Sequence, residues 1–413
     1  MLGRLNTDVK EVTIIGAGYA GLLSAYRLLN LGYAVTIHEK SGRAGGLIST
    51  RQTDHGPAEA AAHSIRSSSE ILRLFDDLKL DYVAAKTKKK FILRDGKLKG
   101  NPLTLWEMFT AGSYAAFKKS DGIYPSLADW AKAHIGEGAL DNAITPLAHG
   151  IYAAEPEELD QQLAFPRMSI PMGQTLVDKV FKDKTQPKKS PGKSFVMAPA
   201  KGMGALINAL TQAVQNHPNG RVIFNSAIET LPDVSNLIVT VPAPAAGKLI
   251  GSNILSNIKY APMITATVFV KTEDLNKLEG IGFLNARGED KRILGVLFNS
   301  STFDHRAREN YASLSVMLGG TSNPHILQKA DDEIKVVIKE ELNRVLNFTG
   351  TELETVITRW PNAIPLYSPH LRETLENLEK GWCSQEGRML FGNYTGEVSI
   401  RGMCQTSLAL GRE

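Results

Sequence analysis

At 413 residues the chain is too long for one ordinary core and suits two or three interleaved domains. Hydrophobic residues at 43% and charged residues at 22% are a soluble globular balance. Two cysteines, Cys383 and Cys404, exclude a disulfide scaffold and fit a reducing, cytoplasmic compartment. The scattered histidines lack a paired ligand spacing such as HExxH, so no metal site is expected. No run approaches the roughly 18–20 apolar residues of a membrane span. The stretch from Met1 to Glu11 lacks the apolar region of a secretory signal.

Val12-Thr13-Ile14-Ile15 has the β-branched run of a buried parallel strand. It enters Gly16-Ala17-Gly18-Tyr19-Ala20-Gly21, followed by a helical stretch from about Leu22 to Asn30, stopped by Gly32. Tyr33 to His38 reads as the second strand, and Glu39 closes it 18 residues after Gly21. In this order each part has a physical task. Gly16 permits the tight turn, Gly18 the approach of a pyrophosphate, and Gly21 close helix–strand packing. The helix N-terminus attracts phosphates, and the Glu39 carboxylate accepts hydrogen bonds from ribose hydroxyls. Strand, glycines, helix, strand and acid together predict a dinucleotide site.

Downstream, Ser67 to Leu80 has helical periodicity, with Ile71, Leu74, Phe75 and Leu78 on one face. Phe91-Ile92-Leu93 with Arg94-Asp95-Gly96 reads as a hairpin. Pro102 to about Val180 is mostly helical, with Trp106, Phe109, Trp130 and Ile135 as apolar anchors, and Lys182 to Lys193 reads as a loop. An α/β pattern then returns. It comprises a helix over Gly204–Asn216, strands over 221–225, 237–241, 264–270, 293–298 and 314–318, and a helix over Asp331–Leu346.

The net charge of +4 is unevenly spread. From Asp81 to Gly100, Lys86, Lys88, Lys89, Lys90, Arg94, Lys97 and Lys99 face only two aspartates, and five lysines between Lys182 and Lys193 face one. Such concentration suits an anionic substrate or an acidic lipid surface. Neither patch interleaves aromatic residues, which argues against nucleic acid.

Glu39-Lys40-Ser41-Gly42-Arg43-Ala44-Gly45-Gly46 resembles the E-x-x-x-R-x-G-G element of the flavin amine oxidase superfamily. The resemblance implies FAD, non-covalently bound, with Lys40, Arg43, Gly45, Gly46 and Leu47 extending its pyrophosphate site. Further segments resemble the protoporphyrinogen oxidase family of late haem biosynthesis, in family order over nearly the whole chain. They are Ser126–Gly136, Pro146–Pro156, Gly295–Phe303 followed by Arg306-Ala307, Trp360–Tyr367 and Gly392–Val398.

That resemblance implies an α/β fold of the amine oxidase or p-hydroxybenzoate hydroxylase-like type. A discontinuous Rossmann-like FAD domain (1–80, 196–250, 385–413) would interleave with a mixed-sheet α+β substrate domain (81–100, 251–384). A helical insertion (101–195) would face a membrane or the cytoplasm. Gly56 and Pro57 match a turn passing the flavin, Ala227 a position whose backbone meets the adenine, and Trp360 a tryptophan near the flavin. Asn393 with Val398, Ser399 and Ile400 matches a turn under the pyrophosphate and isoalloxazine. Lys90 falls where an arginine pairs with a substrate propionate, with Arg94 as second candidate, and the Ala154 carbonyl would face the developing cation.

Departures from the family pattern are Ala58, which removes a side-chain role beside the flavin, Ala154 for glycine, and Leu366 and Pro369 in the segment after Trp360. The expected reaction is porphyrinogen oxidation with oxygen as acceptor. Protoporphyrinogen IX and coproporphyrinogen III both stay open as substrates, as do monomer and homodimer. An amine oxidase, a carotenoid desaturase and a non-catalytic, tetrapyrrole-binding flavoprotein are the alternatives.

Overall fold

The structure, a computed structural model, describes residues 1–185, 194–276, 278–351 and 354–411. A six-stranded sheet runs in the order Leu2–Arg4, Arg388–Leu390, Leu237–Val239, Glu11–Ile15, Ala34–His38, Gly220–Ile223. Its strands are parallel except Leu2–Arg4. Alternate residues are buried on opposite faces, as a parallel sheet covered on both sides requires. Ile14, Ile238 and Met389 pack with Leu22, Leu28 and Leu210 of helices Tyr19–Asn30 and Gly204–Gln215. Ile15, Leu237, Val239 and Leu390 pack on the other side with Tyr152 and Tyr367.

A seven-stranded sheet follows the order Glu354–Pro365, Tyr260–Lys271, Tyr311–Gly319, Gly295–Phe298, Gly282–Asn285, Phe91–Arg94, Lys97–Lys99. All its pairs are antiparallel except that between Gly282–Asn285 and Phe91–Arg94. Ile264, Val268, Leu314 and Val316 line one face and pack with Ile334, Ile338 and Leu342 of helix Asp331–Leu346. The opposite face presents Met263, Thr265, Met317 and Trp360. Two smaller pieces complete the frame. A three-stranded sheet joins Ile65–Arg66, Val196–Pro199 and Tyr82–Ala84, and a hairpin joins Thr50–Gln52 to Pro57–Glu59.

Local chemistry explains most elements. Ser68 caps helix Ser69–Asp77, and Thr104 with Glu107 forms a capping box on helix Leu105–Phe117. The 91–99 hairpin turns on Asp95 and Gly96, both at positive φ.

Some sequence expectations need correction. The first helix starts at Tyr19, directly after the glycine turn, rather than at Leu22. Lys182 to Thr185 extends helix Leu176–Thr185 instead of opening a loop, and 186–193 lies outside the described residues. Trp106 and Phe109, expected as anchors, are 71% and 66% exposed and stack on each other, whereas Trp130 is buried. The twelve-residue strand Glu354–Pro365 was not anticipated, because Pro361 breaks its pattern. Proline is tolerated there since the strand lies at the sheet edge.

Candidate functional site

At the carboxyl ends of the parallel strands the glycine turn is built as a cradle. The Gly16 N–H donates to His38 O at 2.8 Å, and the Gly45 N–H to Ala17 O at 2.8 Å, so loop 43–47 lies alongside 16–18. A Cβ on Gly21 would stand 2.0 Å from Gly16 O, which leaves glycine as the sole fit. A Cβ on Gly18 would meet nothing within 4 Å, so that backbone borders open space. Helix Tyr19–Asn30 has no side-chain cap and no acid in its first turn. Among the described residues, the N–H groups of Ala20 and Gly21 have no protein acceptor. Unpaired donors at an uncapped helix N-terminus beside open space fit a pyrophosphate.

Three donors orient Glu39. Oε2 accepts from Ala17 N at 2.8 Å, while Oε1 accepts from Ser41 N at 2.9 Å and Ser41 Oγ at 2.8 Å. Oε2 keeps acceptor capacity for a ribose hydroxyl. Ser226 N donates to Glu39 O at 2.9 Å, which sets exposed Ala227 beside it. Arg43 reaches back to Ala44 O and Gly46 O and is exposed, as is Lys40, whereas Leu47 is half-buried. A cleft of about 290 Å³ opens beside Arg43 against helix Gly204–Gln215.

The C-terminal turn closes the other side. Tyr19 Oη donates to Ile400 O at 3.3 Å, Ser399 Oγ accepts from Gly402 N at 2.9 Å, and Tyr367 Oη donates to Asn393 O at 2.7 Å. Val398 packs at the margin of the core that holds Ile15 and Ala154.

The segment after Gly56 is clamped. Gly56, at φ 148°, packs so closely on Arg306 that a Cβ would lie 2.7 Å from its carbonyl. Pro57, Ala58 and Glu59 are buried, and Ala60 O accepts from Trp360 Nε1 at 2.7 Å. Trp360 packs with Ala153, Met263 and Met317, so the turn carrying Ala154 stands beside it. Ala153 holds that turn in the left-handed region at φ 50°. The larger groove of about 410 Å³, lined by Glu155, Glu157, Arg287 and Lys291, lies just past this turn. It is a surface of ion pairs, away from the glycine cradle.

Lys90 and Arg94 are not brought to this cluster. Five strand steps separate the Phe91–Arg94 strand from the Trp360 strand, about 24 Å at the usual spacing. Lys90 is exposed at its strand's start. Arg94 donates to both carboxylate oxygens of Glu107, at 2.6 and 2.9 Å, fixing helix Leu105–Phe117. Hydrogen bonds from Arg94 hold the Glu107 carboxyl down at about 2. Lys86 and Lys89 pair with Asp304 and Glu279 from elsewhere in the fold, and Lys99 with Asp95 of the same segment, so part of its charge is neutralised.

Sequence reasoning missed Glu59 and its buried partner Arg306, joined at 2.6 Å with 3% exposure each. A lone carboxylate in the run Gly56-Pro57-Ala58-Glu59-Ala60-Ala61-Ala62 was the available signal, since a buried charge demands a partner.

The profile of flavin containing amine oxidoreductases matches residues 19–402. The chain belongs to this family. As a flavin amine oxidoreductase it is similar to protoporphyrinogen oxidase 2, chloroplastic/mitochondrial, of Arabidopsis thaliana, 26% identical over 461 aligned positions covering 95% of this chain and 91% of that protein. Coproporphyrinogen III oxidase of Bacillus subtilis (strain 168) is 23% identical, covering 91% of each chain. A solved protein from Exiguobacterium sp. 255-15 that carries a protoporphyrinogen oxidase assignment superposes with a TM-score of 0.77 at 18% identity, covering 96% and 97% of the two chains. Putrescine oxidase superposes at 0.68 and 15% identity, covering 96% and 98%, which shows the shared flavin amine oxidase fold. The chain is thus a flavin-dependent oxidoreductase, and the glycine cradle with Glu39 and the uncapped helix fits FAD as its cofactor.

Proposed function

We propose that the protein oxidises a porphyrinogen, protoporphyrinogen IX or coproporphyrinogen III, to the porphyrin in haem biosynthesis, with oxygen as final acceptor. The observation that carries this reading is the wall beside the Pro57–Glu59 strand. Ala153, Met263, Met317 and Trp360 form it, and among the described residues Trp360 stacks with no second ring. A large apolar macrocycle suits such a wall, whereas an amine oxidase should present paired aromatics around the amine. The relatives named for porphyrinogen oxidation, matched over nearly the full chain, support the same choice.

FAD, held non-covalently by Gly16 to Gly21, Glu39, Lys40, Arg43 to Leu47, Ala227, Asn393 and Val398 to Ile400, supplies a hydride acceptor for a meso carbon. The chain's residues orient and exclude water, because the pyrroles themselves stabilise the cation left behind. Gly56, Pro57 and Ala58 would line the flavin site, with Trp360 beside it. The Ala154 carbonyl faces the developing positive charge. Lys90 stands too far from the Trp360 wall to pair with a substrate carboxylate there and adds only to the long-range attraction of an anionic substrate, while Arg94 serves the fold through Glu107.

The segments 1–80, 196–250 and 385–413 form the FAD domain, 81–100 and 251–384 the substrate domain, and 101–195 an insertion facing a membrane surface. Leu105, Trp106, Phe109 and Phe117 are exposed there, with exposed Lys118 and Lys119 alongside. Apolar side chains ringed by cations suit an anionic lipid interface. No helix among the described residues is long and apolar enough to cross a membrane. The protein works from the cytoplasm against that surface.

Anaerobic mixing of the FAD-loaded protein with each porphyrinogen tests the reaction. Bleaching of the flavin absorbance within seconds by one of them is the expected result. Flavin that stays oxidised with both would overturn the reading.

A further inference from the structure

The buried pair of Glu59 and Arg306 joins the short strand Pro57–Glu59 to the loop between helix Asn299–Thr302 and strand Tyr311–Gly319, at the segment assigned to the flavin. Glu59 ends the short strand Pro57–Glu59, and both of its carboxylate oxygens are engaged. Oε1 takes Arg306 Nη1 at 2.6 Å and Met203 N at 2.9 Å, and Oε2 takes Thr50 Oγ1 at 2.6 Å. Met203 leads into helix Gly204–Gln215, and Thr50 lies on the paired strand Thr50–Gln52. Arg306 lies in the loop after the short helix Asn299–Thr302, which follows strand Gly295–Phe298 of the seven-stranded sheet. It meets the flavin-side strand twice, at Glu59 through its guanidinium and at Gly56 through its carbonyl. Arg306 Nη2 remains buried without a partner among the described residues, as does Nε2 of nearby His63.

Such a pair is a poor way to gain stability. Desolvating two charges offsets most of their attraction, and an apolar pair of similar volume often serves as well or better. What an ion pair with defined geometry supplies is register, because each oxygen accepts only along fixed directions. Here the register set is that of the four residues 56–59 relative to the large sheet.

We infer that Arg306 is a positioning residue for the flavin, acting through Glu59 to hold strand Pro57–Glu59 at the depth the cofactor requires. The inference rests on the reading that this strand runs along the flavin, and is independent of which substrate is oxidised. Neither residue takes part in the chemistry itself. Their loss is felt as a looser and electronically altered flavin.

The test uses the FAD-loaded full chain and the double variant Glu59→Met/Arg306→Met, which removes both charges and avoids an orphaned one. Three quantities are read: unfolding temperature of the apoprotein, rate of FAD release on dilution, and reduction potential of the bound flavin. The expected result is an unfolding temperature lowered only modestly, since Met203 N and Thr50 Oγ1 lose an acceptor, with FAD release at least tenfold faster and a shifted potential. Parental release and potential would overturn the inference and leave a merely structural pair. If the double variant fails to accumulate, Arg306→Lys keeps the charge but changes its reach. Faster release then supports the role, and parental release overturns it. Ala58→Leu checks the premise, since a bulkier side chain on the same strand must disturb a neighbouring flavin. Unchanged release in that variant would overturn the proposal by showing that the strand lies elsewhere.

Discussion

Trp360 Nε1 donates to the carbonyl of Ala60 at 2.7 Å, tying the edge strand of the seven-stranded sheet to the segment that follows the Gly56-Pro57 turn. Three hundred residues separate the two in sequence. Trp360→Phe keeps an aromatic wall but leaves that carbonyl without its donor. A loss of about 1–2 kcal/mol in apoprotein stability is expected from urea unfolding. Equal stability of parent and variant would show that solvent or another donor serves the carbonyl instead.

The glycine turn separates cofactor loss from fold loss. Gly21→Ala places a Cβ 2.0 Å from Gly16 O and is expected to destabilise the apoprotein by about 1–3 kcal/mol. Gly18→Ala points a methyl into open space, so the apoprotein should unfold like the parent. Its FAD affinity should nonetheless fall about tenfold or more, or about 1.4 kcal/mol, in a fluorescence titration. If Gly18→Ala binds FAD like the parent, the pyrophosphate does not lie where the helix N-terminus points.

His63 introduces an acid limb. Burial, followed by the neighbouring Arg306 charge, pushes its imidazole down to about 4, with Nε2 sealed from solvent. Because the folded value lies below the ordinary one, the unfolded chain binds the extra proton first. The contribution is complete above about pH 6.5 and is lost as pH falls towards 4. The ring as a whole is only half-buried, which moderates the effect to the order of 2 kcal/mol. Comparing urea midpoints at about pH 7.5 and 4.5, His63→Asn should lose less stability on acidification than the parent. An identical loss in both would assign the acid limb to other groups.

The exposed helix Leu105–Phe117 bears on membrane contact. Trp106→Ser with Phe109→Ser removes the stacked pair at the surface while leaving the Arg94–Glu107 anchor in place. Co-sedimentation with vesicles containing anionic lipid should weaken at least tenfold, or about 1.4 kcal/mol, with unfolding temperature unchanged. Undiminished sedimentation of the variant would separate lipid binding from this face.

How much was legible in the sequence follows from the range of the interactions involved. The dinucleotide end could be read because its meaning is local: glycines, first helical turn and Glu39 fall within some two dozen residues and carry the pattern themselves. Helix Asp331–Leu346 was legible for the same reason, since its period of apolar residues is intrinsic. The edge strand Glu354–Pro365 was hidden by Pro361, which only its position at the sheet margin excuses. Trp106 and Phe109 have the composition of core residues, and only the packed structure shows that nothing among the described residues covers them. The role of Arg94 was obscured by Glu107, thirteen residues away across a turn. Glu59 and Arg306 are 247 positions apart, beyond any window in which spacing is informative.

The central claim is the reaction, and porphyrin fluorescence reads it most directly. The purified, FAD-loaded protein is given protoporphyrinogen IX and coproporphyrinogen III separately in aerated buffer, and spontaneous oxidation is subtracted. Catalysed growth of porphyrin fluorescence with at least one of them is the result expected, and the faster of the two names the substrate. No growth above background with either, from protein whose flavin is intact, would contradict the account and leave a flavin amine oxidoreductase acting on some other molecule.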